Sequence, residues 1–120
     1  MLNLLKSFSH IISSYHIYTY KREKNLFAFR ARLVFEDDSV LEIKEYRFAN
    51  QERKYAYHWM DKSNNLLIRW DNAQHWKDIA TFPHHKHVSS KSNVQLSFEI
   101  NLDQVLLPIE RAITKNSNQC

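Results

Sequence analysis

Hydrophobic and polar side chains alternate along most of the chain, a pattern typical of half-buried β-strands. The clearest case is residues 26–35, where Arg30 and Arg32 point to one face and the large side chains to the other, namely Phe27, Phe29, Ala31, Leu33 and Phe35. Alternation also predicts strands over residues 54–60 and 94–100. The Tyr, Ile and Thr content of residues 15–24 predicts a strand there, and residues 40–48 and 66–70 are predicted to return as strands after turns. Polar clusters between them, at residues 36–39 and 61–65, predict tight turns.

Helical periodicity is found at the two ends of the chain. Residues 2–14 place apolar side chains at three- and four-residue steps, which predicts a short amphipathic helix bearing Leu2, Leu5, Phe8 and Ile12 on one face. A second helix is predicted from Asn101, whose side chain can cap it together with Gln104, to about residue 113. Pro108 lies inside this second helix and is expected to kink or divide it.

These elements predict an α+β fold: an antiparallel meander sheet of five to six strands, with the N-terminal and C-terminal helices packed on one face. The 120 residues are 43% hydrophobic and show no internal linker, so we expect one domain over residues 1–120. Its polar end, residues 113–120, is expected to be frayed. The complete lack of glycine excludes Gly-rich phosphate-binding loops, including those for nucleoside triphosphates and dinucleotides.

The sequence also bears on location. The most apolar stretch, residues 1–14, is interrupted by Lys6 and His10 and is too short to cross a bilayer. It lacks the basic start and small-residue cleavage site of a secretory signal. The single cysteine, Cys120, cannot form an internal disulfide. We therefore expect a cytoplasmic protein without membrane contact.

The chain is basic, with a formal net charge of +4. Most of the excess lies in the first half, where Lys21, Arg22, Arg30 and Arg32 are candidate RNA-binding residues. Such a surface suits RNA or an acidic partner protein, although many small domains are equally basic for solubility alone. Charge therefore permits nucleic-acid binding without establishing it.

The residues best suited to catalysis collect in the least periodic part of the chain. Seven histidines are present, and four fall close together at His75, His84, His85 and His87, with His58 on a neighbouring predicted strand. Imidazole can both accept and donate a proton near neutral pH, so a cluster can supply an acid and a base. Functional side chains also tend to gather on irregular segments held by a rigid scaffold.

Three interpretations of this segment compete. In the first, His85 and His87 share a metal ion with His75, His58 or Asp71 completing the ligand shell, although the spacing matches no zinc motif. In the second, the histidines perform metal-free acid–base chemistry on a phosphodiester, with Lys86 or Arg69 neutralising charge. In the third, they are structural surface residues. A serine nucleophile is not expected, because the chain lacks the Gly-flanked turn on which such a serine usually lies.

The run from residue 55 to 88, YAYHWMDKSNNLLIRWDNAQHWKDIATFPHHKHV, resembles the TumE-like toxin family of type II toxin–antitoxin systems. The matching segments are residues 57–59, 69–73, 75, 81–85 and 87, and the strand and helix that follow are also similar. The resemblance implies a toxin paired with a helix-turn-helix antitoxin. It also implies a polar signature comprising Tyr57, His58, Arg69, Asp71, His75, His84, His85 and His87.

Taken with the resemblance, the residues favour an endoribonuclease that needs no metal cofactor. The base and the acid are expected among His84, His85 and His87, assisted by His75 or His58, with Asp71 orienting one ring. Arg69 or Lys86 would stabilise the phosphorane. The alternatives are a non-catalytic toxin that docks to a cellular or ribosomal target and a metal-dependent nuclease. A homodimer is compatible with each of these three functions.

Overall fold

The computed structural model describes residues 2–117, with side chains over residues 3–115. It contains two α-helices, α1 at Leu2–Ser7 and α2 at Leu102–Ser117, and seven strands between them. The strands are β1 Ile12–Glu23, β2 Leu26–Phe35, β3 Val40–Arg47, β4 Arg53–Met60, β5 Leu66–Asp71, β6 His85–Val88 and β7 Val94–Leu96. Cys120 and the end of the tail expected over 113–120 lie outside the described residues.

All seven strands form one antiparallel meander sheet in chain order, β1 to β7. The α+β class and the meander are confirmed, but the expected count of five to six strands is too low. The extra strand is β6, whose sequence His-Lys-His-Val lacks apolar alternation because polar side chains occupy both of its faces. No helix among the described residues is long and apolar enough to span a bilayer.

The two faces of the sheet differ in what covers them. On the helix face, side chains of the strands pack with those of α1 and α2 into one buried cluster that includes Phe29, Leu33, Leu41, Tyr57, Trp59 and Trp70. Leu5 of α1 and Val105, Leu106 and Ile109 of α2 are buried in the same cluster, which confirms the predicted packing of both helices on one face. The open face carries the intervening positions, which are mainly polar.

The N-terminal helix is much shorter than the residues 2–14 that periodicity predicts. From Ile12 the chain joins the sheet instead, with Ile12 opposite Phe35 and the hydroxyl of Ser13 donating to the Val34 carbonyl at 3.1 Å. Pairing along β2 satisfies a whole row of backbone groups, and this outweighs a weak local helix preference.

The second helix begins as predicted. Asn101 Oδ1 accepts from the Gln104 backbone N–H at 3.1 Å, and Gln104 Oε1 accepts from the Ile100 N–H at 2.9 Å, which together form the expected cap. The expected division at Pro108 is wrong, because α2 continues without interruption to Ser117. Buried Leu106 and Ile109 flank the proline and hold both halves against the same core. The helix also extends beyond the predicted end near residue 113.

Asn and Asp take the place of glycine at two turn positions with positive φ. Asn64, in the turn between β4 and β5, has a φ of 66°, as the polar cluster at residues 61–65 predicts. Asp38 adopts a φ of 67° in the turn between β2 and β3. Asn and Asp tolerate this left-handed region better than most residues, so two tight hairpins form without glycine.

Candidate functional site

The open face carries two adjacent rows of ionisable side chains across its middle strands. In the first row His58 of β4 is opposite Arg69 of β5, which is opposite His87 of β6. In the second row Asp71 of β5 is opposite His85 of β6. Paired residues point to the same face, and neighbouring strands are about 4.8 Å apart. The register therefore brings these five side chains together.

Asp71 links the two rows. Its Oδ1 lies 2.8 Å from His85 Nε2 and accepts the Ala73 backbone N–H at 3.1 Å. Its Oδ2 accepts from Arg69 Nε at 3.2 Å and lies 3.6 Å from His87 Nε2. Asp71 is 6% exposed, so the carboxylate depends on these partners in place of water.

Backbone carbonyls fix the orientation of both imidazoles. His85 Nδ1 lies 3.1 Å from the Pro83 carbonyl, and His87 Nδ1 lies 2.9 Å from the Lys91 carbonyl. A carbonyl only accepts, so each Nδ1 carries the proton and donates it, and each Nε2 is directed at Asp71. The Trp76 indole makes T-shaped contacts with both rings, with centroids 6.3 Å apart in each case.

Solvent access differs between the two histidines. The side chain of His85 is 2% exposed, whereas that of His87 is 13% exposed. A substrate at the sheet surface could therefore contact the His87 ring, while His85 is enclosed behind Asp71 and Trp76. His87 is thus the more accessible of the two rings, and His85 is the enclosed one.

His58 lies on the other side of Arg69. Arg69 Nη1 is 3.4 Å from His58 Nδ1, a long contact in which the guanidinium donates. Burial lowers the pKa of His58 below its usual range, and the Arg69 charge lowers it further, against an opposing effect of Glu42. His58 is therefore neutral at pH 7.

A groove of about 430 Å³ runs beside this row. Its lining includes three cationic side chains and one carboxylate, and the residues are Arg30, Glu42, Lys44, Ala56, His58, Met60 and Arg69. Sequence reasoning missed Glu42 and Lys44, although the signal was available: the hairpin turn at 36–39 aligns β3 with β2 and places them beside Arg32 and Arg30. It also missed Trp76, for which the sequence offers no periodic signal.

The structure separates three of the predicted site residues from this cluster. His84, Tyr57 and Lys86 lie on the helix-face side: Tyr57 is fully buried, and Lys86 is opposite Trp70 in the β5–β6 register. His84 Nδ1 lies 2.8 Å from the Tyr55 hydroxyl. The expected single cluster of His84, His85 and His87 is thus divided, because consecutive strand residues point to opposite faces and His84 precedes β6.

His75 is exposed in the loop between β5 and β6. Within residues 3–115, no side-chain hydrogen bond or ring contact joins it to the other histidines. The neighbouring Trp76, and not His75, supplies the contact from this loop to His85 and His87.

The four predicted RNA-binding residues do not all lie at the open-face groove. Arg30 is exposed on the open face, with its guanidinium 5.9 Å from the Tyr18 ring centre, and it lines the groove. Arg32 is on the same face but is paired with Glu42 at 2.7 Å. Lys21 pairs with Glu23 at 3.5 Å, and Arg22 lines a different pocket, beside Glu45. Arg30 is therefore the best placed for a ligand at the candidate site.

The two polar rows are built mainly from three segments, Tyr57-His58-Trp59 in β4, Arg69-Trp70-Asp71 in β5 and the run from Pro83 to His87. The profile of the family described as Toxin TumE matches residues 1–115. The chain belongs to the TumE toxin family. No curated protein and no solved structure gives a significant match. Membership of the TumE family makes the protein a toxin and implies a cognate antitoxin.

Proposed function

We propose that this TumE toxin is an endoribonuclease whose catalytic centre is the row His58–Arg69–His87 on the open face of the sheet. The observation that carries the proposal is the placement of one guanidinium between two imidazoles on three adjacent strands. Two strand spacings separate the backbones of the two histidines by roughly 10 Å, enough for a phosphodiester to contact Arg69 between them.

RNA supplies its own nucleophile, the 2′-hydroxyl, so the protein has to move two protons and stabilise charge. His58 is neutral at pH 7, and its Nδ1 accepts the 2′-OH proton when the phosphate replaces this nitrogen as the partner of Arg69 Nη1. The 2′-oxygen attacks phosphorus, and Arg69 stabilises the resulting phosphorane. His87 donates a proton from Nε2 to the departing 5′-oxygen as the P–O5′ bond breaks. The products are a 2′,3′-cyclic phosphate and a 5′-hydroxyl.

The remaining residues of the cluster position this row. Asp71 contacts both Arg69 and His87, at 3.2 and 3.6 Å, and so holds the proton donor and the guanidinium at fixed positions. His85 Nε2, which is buried, contacts Asp71 Oδ1 at 2.8 Å and fixes the position of the carboxylate. Side chains fixed by packing and hydrogen bonds lose little freedom when substrate binds, which favours the reaction.

The substrate would approach along the cationic groove. Arg30, Lys44 and Arg69 line it and can contact successive phosphates of a single strand. Arg32, paired with Glu42, contributes less net charge to a ligand there. This arrangement supports RNA as the substrate class.

The direct test is incubation of the purified protein with cellular RNA, with and without EDTA, followed by analysis of the new ends. We expect cyclic-phosphate ends and cleavage that survives chelation. The His87→Ala variant should cleave roughly 10²–10⁴-fold more slowly. The His16→Ala variant, which removes an exposed histidine from β1 on the same face, should cleave normally. Cleavage abolished by EDTA and restored by a divalent ion would establish the metal-dependent alternative instead.

A non-catalytic toxin predicts a different result. If His87→Ala folds, binds the antitoxin and still arrests growth, the histidine row is a docking surface and not a catalytic centre. For the partner itself, we propose a small helix-turn-helix antitoxin encoded beside the toxin gene, with an acidic segment that complements the net charge of +4. Co-purification of the two proteins from a joint expression would test this pairing.

A further inference from the structure

Asp71, His85 and His87 bring potential metal-ligand atoms close together. One ring nitrogen of each histidine and one carboxylate oxygen of Asp71 all lie within 4.8 Å of one another. In a tetrahedral site with bonds near 2.1 Å, ligand atoms are separated by about 3.4 Å. His85 Nε2 lies 2.8 Å from Asp71 Oδ1, and His87 Nε2 lies 3.6 Å from the other carboxylate oxygen, Oδ2, so both rings approach the same carboxylate at distances near this separation.

The groups around the three residues also suit metal ligation, in competition with the proton that a hydrogen bond to Asp71 requires. Both Nδ1 atoms are engaged by backbone carbonyls, at Pro83 and Lys91, so in the neutral rings the lone pairs are on Nε2 and face the carboxylate. Lone pairs facing a carboxylate repel it unless a proton or a cation lies between them. Metal-binding histidines commonly have their second nitrogen held in this way.

We propose that Asp71, His85 and His87 bind a divalent transition-metal ion of the zinc class, and that its binding inhibits RNA cleavage. Two imidazoles and one carboxylate suit Zn²⁺ better than Mg²⁺ or Ca²⁺, which prefer oxygen ligands. Three protein ligands leave a fourth position for water. Arg69 Nε, 3.2 Å from Asp71 Oδ2, opposes the bound charge and limits affinity, so the site suits a reversible ion better than a permanent one.

The inhibition follows from the identity of one ligand, and this part of the inference rests on the proposed function. His87 Nε2 is the atom assigned to protonate the departing 5′-oxygen. A metal ion bound to that nitrogen removes the proton and prevents its return. The ion would also draw the Asp71 carboxylate away from Arg69, which changes the position of the phosphate-binding guanidinium.

The binding test uses metal-stripped toxin titrated with ZnCl₂, and with MgCl₂ for comparison, by isothermal calorimetry. We expect one zinc site in the wild type, an affinity at least about tenfold lower in His87→Ala and Asp71→Asn, and no comparable magnesium binding. His16→Ala and His84→Ala are the matched controls and should bind zinc normally. Circular dichroism on each variant excludes loss of fold as the cause of weaker binding.

Another variant of the same site should change the zinc affinity in the opposite direction. Arg69→Gln removes the opposing charge, so zinc should bind more tightly than in the wild type, although the same change should reduce cleavage. A structural defect would weaken binding in all these variants alike. Equal zinc affinity in the wild type, His87→Ala and Asp71→Asn would overturn the inference and indicate adventitious binding by surface histidines.

Cleavage assays distinguish failure of this inference from failure of the proposed function. Zinc binding with loss of cleavage supports both. No zinc binding, with cleavage that resists EDTA, overturns the metal site and leaves the ribonuclease intact. Zinc binding that raises cleavage overturns the inhibitory role and the metal-free mechanism while retaining the site.

Discussion

Asp71 Oδ1 lies 2.8 Å from Nε2 of His85, the residue opposite it on the next antiparallel strand. The pair is almost fully enclosed, and each member is fixed from the backbone: Asp71 by the Ala73 N–H and His85 by the Pro83 carbonyl. The carboxylate also contacts Arg69 and His87, which are nearer solvent. A buried pair thus sets the positions of the two accessible side chains that we assign to catalysis.

Replacing His87 should affect cleavage far more than replacing His84, although the two lie close together in the sequence. His87 is on the open face beside Arg69, whereas His84 contacts Tyr55 on the other side of the sheet. Loss of the proton donor should reduce the cleavage rate by roughly 10²–10⁴-fold. His84→Ala should cleave within a few-fold of the wild type. Single-turnover rates on one RNA substrate measure both, and the reverse order would contradict the site.

Arg30 and Arg32 offer a matched pair for the RNA-binding groove. Arg30→Gln should weaken RNA binding and reduce its salt dependence by about one unit of the log–log slope. Arg32→Gln should have a smaller effect, because the guanidinium of Arg32 is already paired with Glu42 at 2.7 Å. Fluorescence anisotropy over a salt series provides the slopes. Equal losses of RNA affinity in the two variants would mean that the bound RNA does not follow the groove.

Much of the fold could be predicted from periodicity because most strands bury one face. Residues 26–35 and 40–48 show this best, and their observed bounds, Leu26–Phe35 and Val40–Arg47, differ from the prediction by at most one residue. The signal fails where long-range pairing decides the structure. Residues 8–14 could continue a helix, yet from Ile12 onward the chain forms backbone hydrogen bonds with β2 and belongs to the sheet.

The candidate site was predictable in composition but not in arrangement. The density of histidines between residues 75 and 87 indicates the right segment. Which of them meet depends on where β6 begins, and a strand with polar residues on both faces gives no alternation to locate its start. A strand beginning at His85 puts His85 and His87 on one face and leaves His84 outside it. Sequence also contains no sign that Trp76 would cover His85.

The pKa of His58 predicts how stability depends on pH. Burial and Arg69 lower it, Lys91 adds a smaller effect in the same direction, and Glu42 opposes them. In the window between this lowered pKa and the ordinary value near 6.5, the unfolded chain binds more protons than the folded one. Stability from this residue is therefore fully present above pH 6.5 and falls as the pH drops through the window.

The His58→Gln variant should accordingly lose less stability on acidification than the wild type. Urea unfolding at pH 7.5 and 5.5 provides the two free-energy differences. His16→Gln is a suitable control, because that residue is exposed on β1 and forms no ion pair within residues 3–115. An identical loss in the wild type and His58→Gln would contradict the assignment of a neutral His58 at pH 7.

The contact between Tyr55 and His84 should contribute to stability and not to cleavage. Burial raises the pKa of the Tyr55 phenol, and burial followed by the Arg53 charge lowers that of His84. The phenol therefore keeps its proton and donates it to the neutral Nδ1 at 2.8 Å.

Tyr55→Phe keeps the ring and its contact with Arg53 but leaves Nδ1 without its partner, which should cost about 1–2 kcal/mol. Tyr15→Phe, at an exposed site, should change the unfolding free energy by less than about 0.5 kcal/mol. A double-mutant cycle with His84→Ala should give a coupling of about 0.5–1.5 kcal/mol. A Tyr55→Phe variant that unfolds like the wild type but cleaves RNA about a hundredfold more slowly would return this pair to the catalytic centre.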